Sequence, residues 1–429
     1  VELGADLVDS CSAGDVVTVL AIVKVTNASA SSSGRSGGGV GGGGGGKGQN
    51  ALFLLYLDAI SVTSDRRGGS GGSARSLQAS PRSQHAGQQP FTLRDLQFVV
   101  KFTEEMEGDQ FRHLVRALCP SIFGNEIVKA GLLLALFGGV RKNAEDANKV
   151  PIRGDIHMLM VGDPGQGKSQ LLQAAAAAAP QGIYVGANTC TTAGMTVSIV
   201  RDSATGDYAF EAGAMVLGDQ GVCCVDEFDK MSGDRKALLE AMEQQEVSVA
   251  KAGLVANLPA RTAVLAAANP AGGHYNRGKT VQENLKMSNA LLSRFDLIFI
   301  LIDQPDEDLD ACLSEHVLAL HSGAGPRSRD AQQRLLEYPR SQASLLLPAT
   351  AFQGCQPERI PLAQRLKMFS AEDGPPLPLP LLRKYISYAR QFVHPSISPG
   401  AREVLQSFFL ELRKTSAPKD GTPITAPQL

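Results

Sequence analysis

A glycine-rich run with a single lysine and a serine carries the clearest chemical signal in this sequence. Within VGDPGQGKSQLL, residues 161–172, these residues fit the G-x-x-x-x-G-K-[ST] spacing of a phosphate-binding loop. Backbone N–H groups of such a loop surround a phosphate, its lysine reaches the β- and γ-phosphates, and its serine hydroxyl, here Ser169, binds Mg²⁺. The residues predicted to bind a nucleoside triphosphate are Gly162, Asp163, Pro164, Gly165, Gln166, Gly167, Lys168, Ser169 and Gln170.

The residues on either side of this loop favour the same interpretation. Residues 157–161, HMLMV, are apolar enough for a buried parallel strand, and residues 169–179 favour a helix that ends at Pro180. A glycine-rich turn that matches by chance is the alternative. The order of strand, loop and helix makes that alternative much weaker.

Two adjacent carboxylates follow a later apolar run, GVCCV. We expect Asp226 and Glu227 at the carboxyl end of a strand, where ligands bind in open α/β sheets. Phosphoryl transfer needs one carboxylate to hold Mg²⁺ and another group to orient or deprotonate the attacking water. Asp226 suits the first role and Glu227 the second, and an ordinary acidic strand end is the alternative.

Two further polar residues border apolar runs. Asn269 precedes Pro270, where it could position water, sense the γ-phosphate or simply form a turn. Arg294 precedes the run LIFIL. It could neutralise charge in the transition state, an effect worth about 10³- to 10⁵-fold in rate, or form a structural salt bridge with Asp296.

Composition bounds the remaining possibilities. The chain has 429 residues and a formal net charge of −2, so any contact with DNA must come from local patches. Its seven cysteines form no C-x-x-C pair, which argues against zinc sites and disulfide frameworks, and adjacent Cys223 and Cys224 are expected in the core. No apolar run reaches the length of a membrane span and no signal peptide opens the chain. We therefore expect a soluble intracellular protein, and the start at Val1 suggests a piece of a longer one.

The composition of the chain changes several times along its length. Apolar strands are expected at 15–25 and 51–63, and a capping box at Thr92 and Asp95 begins a region where strands and helices alternate. That alternation is typical of a parallel sheet wrapped by helices. The predicted segments are 1–63 with a glycine-rich insertion at 27–50, a disordered linker at 64–90, an α/β core at 91–321, a linker at 322–379, and a small, truncated helical lid at 380–429.

The order and spacing of four runs closely resemble the MCM (mini-chromosome maintenance) AAA+ DNA helicases. These runs are GDPGQGKSQLL, VDEFDKM, AAANP and LLSRFDLIFIL, and the resemblance covers nearly the whole chain outside its low-complexity stretches. It implies an α/β fold, an AAA+ P-loop ATPase core with a parallel sheet. Part of an OB-type β-barrel would precede this core, and a small helical lid would follow it.

The resemblance also implies a role for each site residue. In this family ATP lies between the subunits of a hexameric ring, so Lys168, Ser169, Asp226, Glu227 and Asn269 would serve one face of the site. Arg294 would be the arginine finger of the neighbour's site. Lys251, in VSVAKAGL, would contact DNA phosphates from a hairpin in the central channel, although by itself it reads as an exposed turn lysine. Residues 191–213 match a second channel loop, the helix-2 insert.

The function implied by the resemblance is ATP-dependent DNA unwinding with ATP and Mg²⁺, in the nucleus, in homologous recombination, double-strand break repair and DNA replication. Its implied partners are single-stranded or forked DNA and other MCM subunits of a hexameric ring, the ninth paralogue among them. One alternative is a nucleotide-gated DNA-binding scaffold with little hydrolysis. Another is a different AAA+ machine, such as a chelatase subunit or a protein remodeller.

The chain departs from the family pattern at both ends. Its first part lacks the family's opening subdomain and the zinc-binding cysteines of the N-terminal region. Near the other end, ITAPQL places Pro427 where the family has the arginine of its second sensor, and proline lacks both the charge and a backbone donor. Either the chain is an incomplete gene product, which we expect, or the lid is remodelled and that sensor is lost.

Overall fold

The computed structural model divides the chain into two units, residues 1–90 and residues 91–429. The described residues are 1–7, 11, 17–27, 53–64, 91–106, 108–142, 152–188, 190–201, 208–231, 235–251, 254–285, 287–303, 305, 307–321, 365–366 and 376–415. Apart from residues 27, 64, 365–366 and 376–379, the glycine-rich insertion and both predicted linkers lie outside them, as does the segment with Pro427.

The first unit contains a three-stranded sheet in the order β1-β3-β2. Its strands are β1 (Glu2–Leu3), β2 (Val17–Asn27) and β3 (Phe53–Ser64). The long strands β2 and β3 pair antiparallel, which confirms the two strands predicted from their β-branched and apolar residues. We retain as a proposal that they belong to an OB-type barrel.

A five-stranded parallel sheet in the order β12-β4-β11-β8-β5 forms the centre of the second unit. Its middle strands are continuous apolar runs, as expected for strands covered on both faces, and every residue of β4 and β11 is buried. This arrangement confirms the predicted α/β fold with a parallel sheet. The strands of the unit are β4 (Met158–Gly162), β5 (Gly182–Gly186), β6 (Val197–Arg201), β7 (Tyr208–Ala212), β8 (Val222–Asp226), β9 (Glu246–Lys251), β10 (Leu254–Pro259), β11 (Ala263–Ala268) and β12 (Leu297–Leu301).

Helices surround this sheet. The first of them begins at the predicted capping box, where the Thr92 hydroxyl accepts from the backbone N–H of Asp95 and the Asp95 carboxylate accepts from the backbone N–H of Thr92. The helices are α1 (Leu93–Glu105), α2 (Gln110–Leu118), α3 (Glu126–Phe137), α4 (Lys168–Ala178), α5 (Thr192–Met195), α6 (Ala214–Leu217), α7 (Arg235–Gln244), α8 (Val281–Leu285), α9 (Asn289–Leu292), α10 (Glu307–His321), α11 (Leu379–Phe392) and α12 (Pro399–Thr415). Among the described helices, none combines the length and the apolar character that crossing a membrane requires.

Apolar side chains from the sheet and from helices on one of its faces form a continuous core. Leu132 and Leu136 of α3 and Leu171 and Leu172 of α4 are completely buried there. In β8, Cys223 and Cys224 are also buried, as predicted, and burial raises the pKa of the Cys223 thiol to about 12. Both thiols are therefore neutral at physiological pH and act as small apolar core groups.

Two antiparallel hairpins extend from the parallel sheet. Strands β6 and β7 form the first, within the predicted helix-2 insert, and strands β9 and β10 form the second. Gln245 joins α7 to the second hairpin in a left-handed conformation with φ of +59°. Its side-chain amide donates to Asp155 at 2.7 Å, and its backbone carbonyl accepts from Ala260 at 2.8 Å. These two bonds fix the base of the hairpin to the amino end of the sheet.

The first helix of the predicted lid packs directly into the core of the second unit. Leu382 and Ile386 of α11 are completely buried in the same apolar cluster as α2, α3 and α4. Polar contacts hold the helix at its edges, because Lys384 forms an ion pair with Asp95 at 2.7 Å and Arg383 donates to the carbonyl of Pro180 at 2.6 Å. The next helix, α12, is exposed along most of its length.

This packing gives a stability prediction for Leu382. Replacement by alanine is expected to lower the free energy of unfolding of the second unit by about 2–5 kcal/mol, because it removes a buried side chain and leaves a cavity. Leu405→Ala on α12 is the control, since Leu405 is 44% exposed and its loss should cost less than about 0.5 kcal/mol. Urea unfolding followed by circular dichroism measures both. Equal losses for the two variants would show that α11 does not fold as part of this core.

Candidate functional site

The predicted phosphate loop lies between β4 and α4, at the carboxyl end of the sheet. Gly165 and Gly167 have φ of +89° and +73°, a conformation that favours glycine, so the loop can turn sharply into the helix. A Cβ added at Gly165 would meet nothing within 4 Å, which leaves open space beside the loop backbone. Ser169 and Gln170 are exposed in the first turn of α4. The loop and the positive end of this helix can therefore receive an anion.

Lys168 is the buried cation of the loop. Its Nζ donates to the backbone carbonyls of Gly162 at 2.7 Å and Asp163 at 2.6 Å. Because an ammonium group has three N–H donors, one remains for a phosphate oxygen. Burial lowers the pKa of Lys168, and the nearby carboxylates Asp163, Asp226 and Asp229 oppose this shift.

The side chain of Asp163 anchors the loop to its surroundings. Its carboxylate accepts from the backbone N–H of Tyr275 at 3.0 Å, and His274 Nδ1 lies 3.7 Å away. Burial works to raise the pKa of Asp163, but these partners and the backbone N–H of Asp303 outweigh it and lower the pKa. Asp163 thus stays charged, and its backbone is engaged as well, because its carbonyl accepts from Lys168 Nζ at 2.6 Å and its N–H donates to the carbonyl of Leu301 at 3.3 Å.

Asp226 ends β8 at the same edge of the sheet. One carboxylate oxygen accepts from the Tyr184 hydroxyl at 2.8 Å, and the other accepts from the backbone N–H of Glu227 at 2.8 Å. Strand β11 alone separates β8 from the strand that leads into the phosphate loop. Parallel strands bring their carboxyl ends to one edge, so Asp226 faces the site that Ser169 borders. Their oxygens are the kind of ligand that Mg²⁺ prefers, and this pair fits the predicted ion.

Glu227 follows in a left-handed conformation with φ of +55°, which is uncommon for a residue other than glycine. Lys230 Nζ forms an ion pair with one carboxylate oxygen at 2.9 Å, and the side-chain amide of Asn188 donates to the other. The residue is partly exposed. Its carboxylate is therefore held at the strand end by two neighbours, and it keeps access to solvent.

Asn269 stands directly after β11, between the phosphate loop and Asp226. Its backbone N–H donates to the Asp229 carboxylate at 2.9 Å. This bond ties the turn after Glu227 to the end of β11. The residues predicted for one face of the site, namely Lys168, Ser169, Asp226, Glu227 and Asn269, consequently share one edge of the sheet.

Arg294 lies at the opposite end of the sheet. Strand β12 pairs with β4 from Leu297 opposite Met158 to Leu301 opposite Gly162, and Arg294 precedes the first of these pairs. The five strand residues correspond to about 17 Å at about 3.3 Å per residue, which is longer than an arginine side chain. Arg294 cannot reach the phosphate loop of its own chain.

The predicted alternative of a salt bridge between Arg294 and Asp296 is wrong. The Arg294 guanidinium forms an ion pair with Glu243 of α7. Asp296 instead accepts from Arg153 Nη2 at 2.8 Å and from the backbone N–H of His157 at 2.8 Å. The reason is that Asp296 lies beside the start of β4, where it accepts hydrogen bonds from the segment that precedes this strand.

Lys251 ends β9, at the outer end of the β9–β10 hairpin. It pairs with Leu254, and the two residues between them lie outside the described part of the chain. The register therefore places Lys251 next to the tip of an antiparallel hairpin, where the sequence predicts a turn. Its role in DNA binding stays a prediction.

Three residues of this site escaped prediction from the sequence. Tyr184 and Asn188 belong to the segment around β5, and they meet Asp226 and Glu227 because β5 pairs with β8. No local motif marks them. Asp229, in contrast, lies within the run VDEFDKM, and its position after the two predicted carboxylates was a usable signal.

A glycine loop after the first strand of a parallel sheet, with a lysine and a serine opening the next helix, defines a P-loop protein of the α/β class. The family model of the MCM P-loop domain matches residues 99–321, and that of the MCM AAA-lid domain matches residues 380–429. The chain belongs to the MCM family. Several of its runs, among them FEAGAMVLGDQG and LLRKYISYARQF, look most like the eighth MCM paralogue.

Curated relatives give the same assignment over the whole chain. "Probable DNA helicase MCM8" from Oryza sativa subsp. indica is 56% identical over 434 residues, which cover 100% of this chain and 52% of the relative. "DNA helicase MCM8" is 52% identical in Xenopus tropicalis and 49% identical in Homo sapiens; both alignments cover 100% of this chain, and 47% and 48% of the respective relatives. The chain therefore spans about half the length of the curated relatives it matches.

Proposed function

We propose that this chain forms the ATPase part of an ATP-dependent DNA helicase subunit of the MCM type. It hydrolyses ATP between the subunits of a ring and uses the energy to translocate on DNA and unwind it. The observation that carries the proposal is the placement of the phosphate loop, Asp226 and Glu227 at one end of the sheet and of Arg294 at the other. A complete site then needs the Arg294 of a second subunit.

The chain's own residues divide the work of hydrolysis. The loop backbone and Lys168 hold the phosphates, and Ser169 and Asp226 would hold Mg²⁺, which would neutralise phosphate charge. Glu227 accepts a proton from the attacking water, for which its carboxylate must turn from Lys230 or Asn188 towards the phosphates. Asn269 orients the water or the γ-phosphate from the neighbouring strand end.

The proposed substrate and partners are those that the relatives' names and the motifs support. The relatives are named as DNA helicases, and Lys251 at the end of β9 supplies a cation for DNA phosphates. Other MCM subunits, including the ninth paralogue, complete a hexameric ring. The cellular role is homologous recombination, double-strand break repair and DNA replication in the nucleus.

Steady-state ATP hydrolysis by the full-length protein, with and without single-stranded DNA, tests this proposal. We expect DNA to stimulate turnover, and Lys168→Ala to abolish it because the loop loses its cation. Lys101→Ala is the control, since Lys101 is an exposed α1 lysine with a single ion pair to Glu105. A protein that binds nucleotide and never turns it over, even with its ring partners, would overturn the motor and support the nucleotide-gated scaffold.

Shared sites have their own test. Lys168→Ala subunits keep Arg294, and Arg294→Ala subunits keep the phosphate loop, so mixed rings contain complete sites although neither variant alone does. We expect mixing to restore part of the hydrolysis. If the mixture stays as inactive as its components, Arg294 does not act in the neighbouring subunit.

Lys251→Ala tests the proposed DNA contact. The substitution removes a phosphate-binding cation, so we expect weaker binding of single-stranded DNA and smaller DNA stimulation of hydrolysis, with nucleotide binding unchanged. Fluorescence anisotropy with a labelled oligonucleotide at several salt concentrations measures the loss. Unchanged affinity and an unchanged salt dependence would remove Lys251 from the DNA interface, and Lys101→Ala again serves as the control.

A further inference from the structure

The guanidinium of Arg294 has one partner at its tip. Arg294 Nη2 forms the ion pair with the Glu243 carboxylate, and Nε makes no hydrogen bond within the described residues. A guanidinium carries five N–H donors in a planar fork. A single carboxylate on Nη2 therefore restrains the group and leaves the donors on Nη1 for a second anion, whereas the buried Nε cannot face one.

The backbone of Arg294 is fixed separately. Arg153 Nη2 lies 3.4 Å from the carbonyl oxygen of Arg294 and 2.8 Å from Asp296 Oδ1, so one side chain bridges the two. The backbone N–H of Arg294 donates to the carbonyl of Leu291 at 3.1 Å. The main chain at Arg294 is thus held from both sides, and the freedom that remains lies in its side-chain torsions.

Glu243 itself stands on a firmly held stretch of α7. The neighbouring carbonyl of Met242 lies 3.3 Å from Nε2 of His157, and Nδ1 of the same ring accepts from the backbone N–H of Val264 at 3.0 Å. Burial lowers the pKa of His157 to about 3, so the ring stays neutral and keeps both bonds at physiological pH. The end of α7 is therefore tied to the amino ends of β4 and β11.

We propose that Glu243 is a positioning residue for Arg294, which sets the direction of the guanidinium towards the nucleotide of the neighbouring subunit. This inference rests on the proposed function, because it needs Arg294 to act in the neighbour's site. In this role Glu243 contacts the guanidinium of Arg294 and not the nucleotide. It acts by holding Nη2, so that the Nη1 donors of Arg294 stay available to the neighbouring subunit.

A purely structural role for the same ion pair would predict that replacing Glu243 lowers the folding stability. The side chains of Arg294 and Glu243 are 33% and 52% exposed, and exposed ion pairs add little to folding stability. A substitution of Glu243 should therefore leave the thermal unfolding midpoint unchanged. Its effect on hydrolysis should depend on which subunit of a shared site carries it.

The mixed ring of the full-length protein provides this test. Glu243→Gln is introduced either into the Lys168→Ala subunit, which donates Arg294, or into the Arg294→Ala subunit, which donates the phosphate loop. We expect the first placement to lower the kcat of the mixture about 10-fold, with KM for ATP within about twofold, because small misplacements of a reacting group are costly. The second placement should have no effect. Glu105→Gln, which removes an exposed α1 carboxylate with its own ion pair, is the control in both subunits.

Each outcome decides one question. Equal effects of Glu243→Gln in the two placements, or no effect in either, would overturn the positioning role while the proposed function stands. If the mixture of Lys168→Ala and Arg294→Ala subunits, with Glu243 unchanged in both, fails to regain hydrolysis, the shared site itself is overturned. A Glu243→Asp variant in the subunit that donates Arg294 keeps the charge on a shorter side chain, and we expect it to regain part of the loss that Glu243→Gln causes.

Discussion

Arg294→Ala is expected to lower the rate of ATP hydrolysis by about 10³- to 10⁵-fold and to leave nucleotide affinity nearly unchanged. The rate falls because the transition state loses a cation that neutralises its developing charge. Affinity persists because Arg294 lies at the far end of the sheet from the phosphate loop of its own subunit, and the loop supplies most contacts to the phosphates. Phosphate release in the steady state and titration with a fluorescent nucleotide measure the two effects in the full-length protein.

The control for this prediction is Arg402→Ala, which removes an exposed arginine on α12. Its hydrolysis should equal that of the unsubstituted protein. Asp296→Ala provides a further contrast, since Asp296 holds Arg153 and the backbone of His157 and its loss should destabilise the fold. An Arg294→Ala protein that hydrolyses ATP within tenfold of the normal rate would remove Arg294 from the catalytic machinery.

Glu227→Gln is expected to reduce hydrolysis by about 10²- to 10⁴-fold while ATP still binds. The amide keeps the size of the side chain but cannot accept a proton from water. Asp226 and the phosphate loop are untouched, so the nucleotide site itself is preserved. Pre-steady-state mixing with radiolabelled ATP separates binding from the chemical step.

The same variant separates the two classes of function. A helicase with Glu227→Gln loses unwinding. A nucleotide-gated scaffold with the same substitution keeps its DNA-dependent assembly. Glu105→Gln on α1 controls for the change of charge. Full hydrolysis by the Glu227→Gln protein would show that another group activates the water.

Local patterns were sufficient for much of the fold. The capping box at Thr92, the continuous apolar runs of β4 and β11, and the glycine spacing of the phosphate loop are encoded within short stretches. A buried parallel strand needs only apolar residues on both faces, so its position can be read from the sequence. The edge of the sheet at which Asp226, Glu227 and Asn269 meet follows from the parallel arrangement.

Contacts between distant segments could not be predicted in this way. The pairing of β5 with β8 brings Asn188 to Glu227, and no spacing along the chain announces it. The alternative role for Arg294 placed its partner two residues away at Asp296, yet the partner lies 51 residues away on α7, because Asp296 is already bound at the start of β4. Which charged side chains pair at the ends of strands depends on residues that are close in space, and these need not be close along the chain.

The opposite placement of the phosphate loop and Arg294 restricts which assemblies can turn over ATP, if Arg294 serves a neighbouring subunit. A two-fold symmetric pair uses the same patch on both subunits, so it could complete its sites only if that one patch carried both the phosphate loop and Arg294, which lie at opposite ends of the sheet. Head-to-tail addition joins unlike surfaces, and an open row of n subunits then holds n − 1 complete sites, whereas a closed ring holds n. Closing the row creates one more catalytic centre without altering any subunit. The rate of ATP hydrolysis per subunit therefore rises when the ring closes.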